Sequence, residues 1–155
     1  MTDPELRLGA DLRLLHDLER GNDRMGGSDL LTITHPQPGQ GDLADLQTVQ
    51  DAQNLQQALL LRFLTRQGAL TALGHPDYGS RLYTLIGQLN TETNRSRAKL
   101  FVLEALAAEP RVASVVSVDA TSGARDRIDI SVSLLAIQND TPLNLVFPFY
   151  LGGQR

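Results

Sequence analysis

The most regular apolar pattern in the chain lies near its middle. Five residues recur at i, i+3, i+4, i+7 and i+8, which is one face of an α-helix: Ala98, Phe101, Val102, Ala105 and Leu106. Thr91 or Thr93 can cap the first turn of this helix, and Glu92 suits the positive end of its dipole. The helix must end near Glu109, because Pro110 disfavours helical geometry in the residue before it.

A second helical pattern precedes the first and begins at about Thr48. Its apolar residues recur at spacings of three and four: Ala52, Leu55, Leu59, Leu60, Phe63 and Leu64. Thr48 and Asp51 have the spacing of a loose capping box, and Gly68 supplies a stop. Residues 74–79, Gly-His-Pro-Asp-Tyr-Gly, then predict a rigid turn. Ser80 can cap a short helix after that turn, with three residues pointing inward: Leu82, Leu85 and Ile86.

After Pro110 the apolar period changes from helical to alternating. The alternation predicts three strands, at residues 112–118, 127–137 and 143–151. The middle strand is the most regular, with four apolar residues on one face: Ile128, Ile130, Val132 and Leu134. We therefore predict an α+β fold in which helices are followed by a C-terminal three-stranded antiparallel meander, with the helices packed on one face.

The last predicted strand has the features of a sheet edge. It contains Pro148, which cannot donate a ladder hydrogen bond and is found mostly on edge strands. Pro148 blunts part of that edge against random pairing, whereas residues 143–147 can still accept a partner strand in register. The candidate partner-binding edge consists of Leu143, Asn144, Leu145, Val146, Phe147, Pro148, Phe149 and Tyr150.

The first 45 residues show no sustained period. Residues 35–41, His-Pro-Gln-Pro-Gly-Gln-Gly, cannot continue a helix. We predict an acidic N-terminal arm and linker over residues 1–45 and an α+β domain over residues 46–155. Such an arm becomes ordered by docking onto the body of the same chain or onto a neighbour, and the sequence leaves both open.

Composition and charge narrow the classes of function. The absence of cysteine excludes disulfides, thiolate zinc sites and cysteine nucleophiles. Residues 1–51 hold ten acidic and four basic side chains, whereas a nucleic-acid-binding protein needs a basic surface. No stretch approaches the roughly 20 apolar residues that span a bilayer, and Met1 is followed by acidic residues where a signal peptide is basic. We expect synthesis in the cytoplasm, no membrane insertion and no nucleic-acid partner.

Catalytic patterns are weak in this sequence. The histidines are scattered without a second ligand at i+3 or i+4, so we expect no metal and no cofactor: His16, His35 and His75. Glu104 and Glu109 could form a glycosidase pair, but nothing in the sequence holds them across a cleft. Ser80 with His75 and Asp77 has the residue types of a triad without its spacing. We therefore expect no enzymatic activity.

Two tripeptides at element boundaries are candidates for partner binding. His75-Pro76-Asp77 is similar to the tripeptide between two helices of J-domain co-chaperones, yet only Arg62 and Arg66 supply positive charge before it. A rigid connector is the simpler interpretation. Glu109-Pro110-Arg111 places a carboxylate and a guanidinium around a proline where helix gives way to sheet. On residue types alone, a helix stop with a local ion pair explains it.

The order of these elements resembles a known family. A helix, a Gly-His-Pro-Asp-Tyr-Gly turn, a short helix, a longer helix ending in Glu-Pro-Arg and three C-terminal strands follow one another over about residues 48–151. This order resembles the lysozyme-like baseplate wedge, or sheath-initiator, family of contractile machines. The family includes wedge protein W of phage tails, component E of type VI secretion baseplates, and relatives in R-type pyocins and extracellular injection systems.

The resemblance implies a structural component of a baseplate that is incorporated into a phage tail or injection particle. It implies that Glu109, Pro110 and Arg111 contact the helical core bundle of the wedge. It also implies that residues 143–151 join the first ring of sheath protein and start sheath assembly. For residues 1–45, docking onto the tail tube, the hub or a neighbouring wedge is one hypothesis. The alternatives are a peptidoglycan hydrolase of a tail baseplate, suggested by the family's lysozyme label, and a small co-chaperone-like adaptor.

Overall fold

The computed structural model describes residues 8–15, 30, 32–37, 41–137 and 140–152. These residues form two α-helices and seven strands: β1 (Ala10–Leu12), β2 (Thr32–Gln37), β3 (Gly41–Leu46), β4 (Thr48–Gln50), α1 (Asp51–Leu64), α2 (Glu92–Ala107), β5 (Val112–Ser122), β6 (Arg127–Ala136) and β7 (Leu143–Tyr150). Short 3-10 turns at Thr71–Leu73 and Leu82–Leu85 lie between the helices. The α+β class is therefore confirmed.

The C-terminal strands form one antiparallel sheet in the order β5-β6-β7. At its centre Ile130 of β6 lies opposite Ala120 of β5 and Phe147 of β7. The register of β5 shifts twice, between Val112 and Ser114 and between Val115 and Ser117. All four inward residues predicted for β6 are buried, so its alternation is confirmed. A half-buried sheet of this kind needs a second layer on its apolar face.

The helices and the sheet share a hydrophobic core. Buried apolar residues of α1, α2 and the Leu82–Leu85 turn share one core with those of the sheet. Phe63 of α1 stacks on Phe147 of β7, with ring centroids 5.2 Å apart. The five apolar residues predicted for α2 are all buried, and the Thr91 side chain accepts a hydrogen bond from the Asn94 N–H at 3.2 Å. No helix in the described part of the chain is both long and apolar enough to span a membrane.

The predicted start of α1 is wrong. Thr48 does not cap the helix, because it lies in β4 opposite Leu12, and the residue before the helix, Gln50, makes no side-chain cap. The Asp51 N–H instead donates to the Gly9 carbonyl at 3.1 Å. A backbone segment that lies far away in sequence therefore satisfies one of the unpaired donors at this helix end.

Two inward orientations and one helix end also differ from the predictions. Leu64 is 47% exposed and Ile86 is 51% exposed, because each lies at the end of its helical segment. Helix α1 ends at Leu64 rather than near Gly68, since Thr65 turns to extended geometry and its carbonyl accepts the Ser80 N–H at 2.9 Å. Gly79 closes this turn: a Cβ there would lie 2.7 Å from the Thr65 carbonyl oxygen, so only glycine fits.

Part of the N-terminal segment docks on the body of the same chain. Strand β1 pairs antiparallel with β4, and Leu8 is buried in the common core. Strands β2 and β3 form a separate antiparallel hairpin across the region predicted as a linker. Most of residues 1–31 lie outside the described part of the chain, and the division into residues 1–45 and 46–155 stays a prediction.

Candidate functional site

The corner between α2 and β5 contains a buried cluster of charged side chains. Glu109 is only 6% exposed. Its Oε1 accepts a hydrogen bond from Arg111 Nε at 2.7 Å, and its Oε2 accepts one from Arg62 Nη2 at 3.4 Å. A carboxylate removed from water in this way requires such partners, because an unpaired buried charge is strongly unfavourable.

The arginines of this cluster join four segments of the chain. The Arg62 guanidinium lies over the ring of Tyr78, 4.6 Å from its centroid. Arg111 also donates from Nη1 to the carbonyl of Leu8 at 3.3 Å. The cluster thus connects α1, the turn at residues 74–79, the corner and the docked N-terminal segment. We call it the corner cluster: Arg62, Tyr78, Glu109, Arg111 and the Leu8 carbonyl.

Electrostatics fix the charge state of the corner cluster. Burial alone would raise the pKa of Glu109, but the hydrogen bond and positive charge of Arg111, aided by the charge of Arg62, lower that pKa below its ordinary value. Burial raises the pKa of the Tyr78 hydroxyl, and the charge of Arg62 opposes this rise. Glu109 is therefore an ionised carboxylate that both arginines stabilise.

Only part of the predicted Glu-Pro-Arg site faces solvent. Pro110 is exposed, and the side chain of Arg111 is 26% exposed. Glu109 is turned inward. Its carboxylate holds Arg111 in position and does not present itself to the surface.

Strand β7 is the second predicted site, and it lies at an edge of its sheet in the described residues. The Leu151 N–H donates to the Asp126 carbonyl at 2.8 Å. Hydrogen-bonded pairs alternate along an antiparallel ladder, so the odd-numbered residues of β7 direct their backbone groups toward β6. The even-numbered residues direct theirs to the open edge.

The open edge therefore has a specific set of backbone groups. Pro148 removes one donor from it without breaking the ladder with β6. The Asn144 carbonyl accepts a hydrogen bond from Gln56 Nε2 of α1 at 3.2 Å. Between these two lies Val146, which is 50% exposed and whose N–H and C=O both point outward.

The side chains of β7 divide in the same way. Those predicted for the apolar face are buried in the core and are not available to a partner: Leu143, Leu145, Phe147 and Phe149. The remaining predicted residues lie on the other face of the sheet: Asn144, Val146, Pro148 and Tyr150. Of the predicted edge site, the outward backbone and these four residues can meet another chain.

The weaker catalytic candidates have structural roles or lie apart. Ser80 Oγ donates to the Phe63 carbonyl at 2.7 Å and accepts the Leu82 N–H at 3.2 Å, so it ties the end of α1 to the next turn. His75 and Asp77 are exposed. Glu104 is an exposed helix residue 3.7 Å from Arg81. Within the described residues, no three His, Asp or Glu side chains are placed to hold a metal ion.

The sequence alone does not connect Arg62 or Tyr78 with the corner. Arg62 lies 47 residues before Glu109, so no local spacing connects them. One signal was present: Arg62 follows Leu55 and Leu59 at helical spacing and therefore lies on the apolar face of α1. A charged residue on such a face needs a buried partner.

Comparison with solved structures finds a likeness that bears on function. No protein-family model matches the chain, and no significant relative is found among curated proteins. The fold is similar to that of a crystal structure described as a "putative tail lysozyme" from Geobacter sulfurreducens. The likeness has a TM-score of 0.55 and 26% sequence identity, and it covers 64% of this chain and 89% of that protein. It supports the phage-tail theme of the family resemblance.

Proposed function

We propose that this protein is a structural baseplate component of a contractile tail or injection system. It binds the wedge through the Glu109-Pro110-Arg111 corner and initiates sheath assembly through the edge of β7. The observation that carries this proposal is the outward-facing backbone of β7, on a fold similar to a tail protein.

At the corner, Pro110 and the exposed part of Arg111 form the contact surface for the wedge. Glu109 acts as a positioning residue, because its short hydrogen bond to Arg111 fixes the direction of the guanidinium. A rigid, pre-positioned arginine loses little conformational entropy on binding. This arrangement suits a permanent contact between structural subunits.

At the edge, an incoming strand of a sheath subunit adds to the sheet next to β7. The N–H and C=O of Val146 pair with it, and main-chain hydrogen bonds of this kind give affinity. Because Pro148 offers no donor, the incoming strand pairs mainly with the end of β7 that contains Asn144. Gln56 releases the Asn144 carbonyl when the strand arrives. Individually weak contacts of this type become strong when a ring of subunits engages together.

The decisive experiment changes only the outward backbone of β7. Val146→Pro removes one donor from the open edge and leaves the ladder with β6 in place, as Pro148 already does two residues later. Val146→Ala is the matched control, because it shortens the same side chain and keeps the N–H. In cells that produce the native particle, we expect Val146→Pro to give baseplates without sheath by electron microscopy and Val146→Ala to give normal particles. Normal sheath on Val146→Pro baseplates would refute strand addition.

The corner is tested by a charge placed on its exposed surface. Pro110→Asp introduces an acidic group beside Arg111, whereas Thr93→Asp places the same group at an exposed position near the start of α2. We expect Pro110→Asp to keep the thermal unfolding profile and to lose incorporation into purified baseplates. Thr93→Asp should be incorporated normally. Full incorporation of Pro110→Asp would exclude the corner as the wedge contact.

A peptidoglycan hydrolase is the competing function, and the name of the similar structure favours it. The geometry speaks against the carboxylate pair that the sequence offers. A general acid of a glycosidase has a raised pKa, whereas the arginines lower the pKa of Glu109. We expect purified protein to produce no clearing in a murein zymogram. Clearing that disappears in Glu109→Gln would establish the hydrolase instead.

A further inference from the structure

Residues 8–15 lie on the body as an extended peptide lies in a binding groove. Strand β1 pairs with β4 over three residues, and the ladder continues through the Arg13 N–H, which donates to the Gln47 carbonyl at 2.8 Å. The other side of the segment is held by side chains of α1. We call the surface between β4 and α1 the arm groove, formed by Val49, Asn54 and Gln57.

The wall of the arm groove consists of buried amide side chains. Gln57 is 1% exposed; its Nε2 donates to the Leu12 carbonyl at 2.8 Å, and its Oε1 accepts the N–H groups of Leu14 and Leu15 at 2.8 and 3.2 Å. Asn54 Nδ2 donates to the Leu8 carbonyl at 2.8 Å. These amides bind the segment as a neighbouring strand would, through its main chain.

One apolar anchor adds selectivity to this main-chain recognition. The side chain of Leu8 is buried in the common core, and its carbonyl accepts hydrogen bonds from Asn54 and Arg111. Burial of this leucine stabilises the docked segment through the hydrophobic effect. The groove therefore fits an extended peptide with leucine at its first position.

We propose that the arm groove is a strand-exchange site that takes residues 8–15 of a second copy of this chain. Every contact that would form between two copies is already formed within one chain. The closed and the exchanged arrangements therefore differ little in free energy. Sixteen residues separate Leu15 from Thr32, and a chain of sixteen residues spans at most about 55 Å. A neighbouring copy within that distance can receive the segment.

Strand exchange would also change the hydrogen bonds of the corner cluster. The Leu8 carbonyl accepts from Arg111, and Arg111 holds Glu109. An empty groove leaves Arg111 with one acceptor fewer, whereas a groove filled by another copy restores the corner cluster. Exchange of this kind requires only copies of this chain, so it would occur with or without a baseplate.

The chain contains no cysteine, so an engineered pair reports exchange directly. Ala10 and Gln50 face each other between two hydrogen-bonded pairs, a position where Cα atoms lie about 4.5 Å apart, within disulfide range. Full-length Ala10→Cys protein is mixed with Gln50→Cys protein under native conditions, oxidised and run on a non-reducing gel. We expect a covalent dimer whose yield increases with protein concentration.

Three controls make the result decisive. The double variant with both cysteines in one chain should close internally at high dilution, which tests the register. Thr121→Cys replaces Gln50→Cys as an exposed thiol outside the groove and should give at least tenfold less dimer. Adding Leu8→Asp to the Ala10→Cys chain should reduce the yield by a similar factor. Internal closure without any mixed dimer, or equal dimer with Thr121→Cys, would overturn the proposal.

Discussion

The corner and the edge of β7 differ in whether their polar groups are paired within the chain. At the corner, the carboxylate of Glu109 is buried and held by two arginines of the same chain. At the edge, the backbone of Val146 points away from the sheet. A residue that pairs inside its own chain shapes a binding surface, whereas a group left outside the ladder can form that surface itself.

The largest expected effect separates the two faces of β7. Phe147 is buried and stacked on Phe63, so Phe147→Ala should lower the free energy of unfolding by about 4 kcal/mol through lost burial and the cavity it leaves. Val146→Ala, one residue away on the outer face, should change it by less than about 0.5 kcal/mol. Urea denaturation of both variants measures the difference. Similar losses in the two would show that β7 is covered on both faces.

The corner should give the next largest effect. Glu109→Ala leaves Arg62 and Arg111 without their shared carboxylate, and breaking a buried ion pair in this way should cost about 3 kcal/mol of unfolding free energy. Glu104→Ala is the control, since Glu104 forms an exposed pair with Arg81 that should contribute less than about 1 kcal/mol. Equal urea midpoints for Glu109→Ala and the unaltered protein would show that Glu109 does not stabilise the fold.

Local periodicity was enough to predict α2 and β6. Their inward residues repeat within the element itself, and tertiary structure preserved that pattern. The sequence could not show that Thr48 would pair with Leu12 rather than cap α1, nor that Glu109 would meet Arg62 and Arg111 would meet Leu8. These contacts join residues 36 to 103 positions apart, beyond the range of turn, cap and helix rules. For the Arg62–Glu109 pair alone there was a local sign, the charge on the apolar face of α1.

Acid should weaken the corner and leave the edge unaffected. The folded protein holds the pKa of Glu109 below the ordinary value of 4.5, so this group stabilises the fold above that pH and loses its contribution as the pH falls through the lower, folded pKa. Glu109→Gln cannot lose a charge there. Its unfolding free energy should therefore decline less steeply below pH 4.5 than that of the unaltered protein. Parallel pH profiles from urea titrations would contradict an ionised, arginine-held Glu109.

The smallest effect on stability belongs to the open edge. The Val146 N–H points outward and the N–H groups of Leu145 and Phe147 point to β6, so the Val146 amide should exchange with deuterium much faster than its two neighbours. For the same reason Val146→Pro should shift the unfolding free energy by less than about 1 kcal/mol, since no ladder bond is lost. Hydrogen exchange followed by NMR on the isolated chain compares the exchange rates of the three amides directly. A Val146 amide as slowly exchanging as that of Phe147 would mean that the edge is already occupied, and β7 would then resemble the corner rather than differ from it.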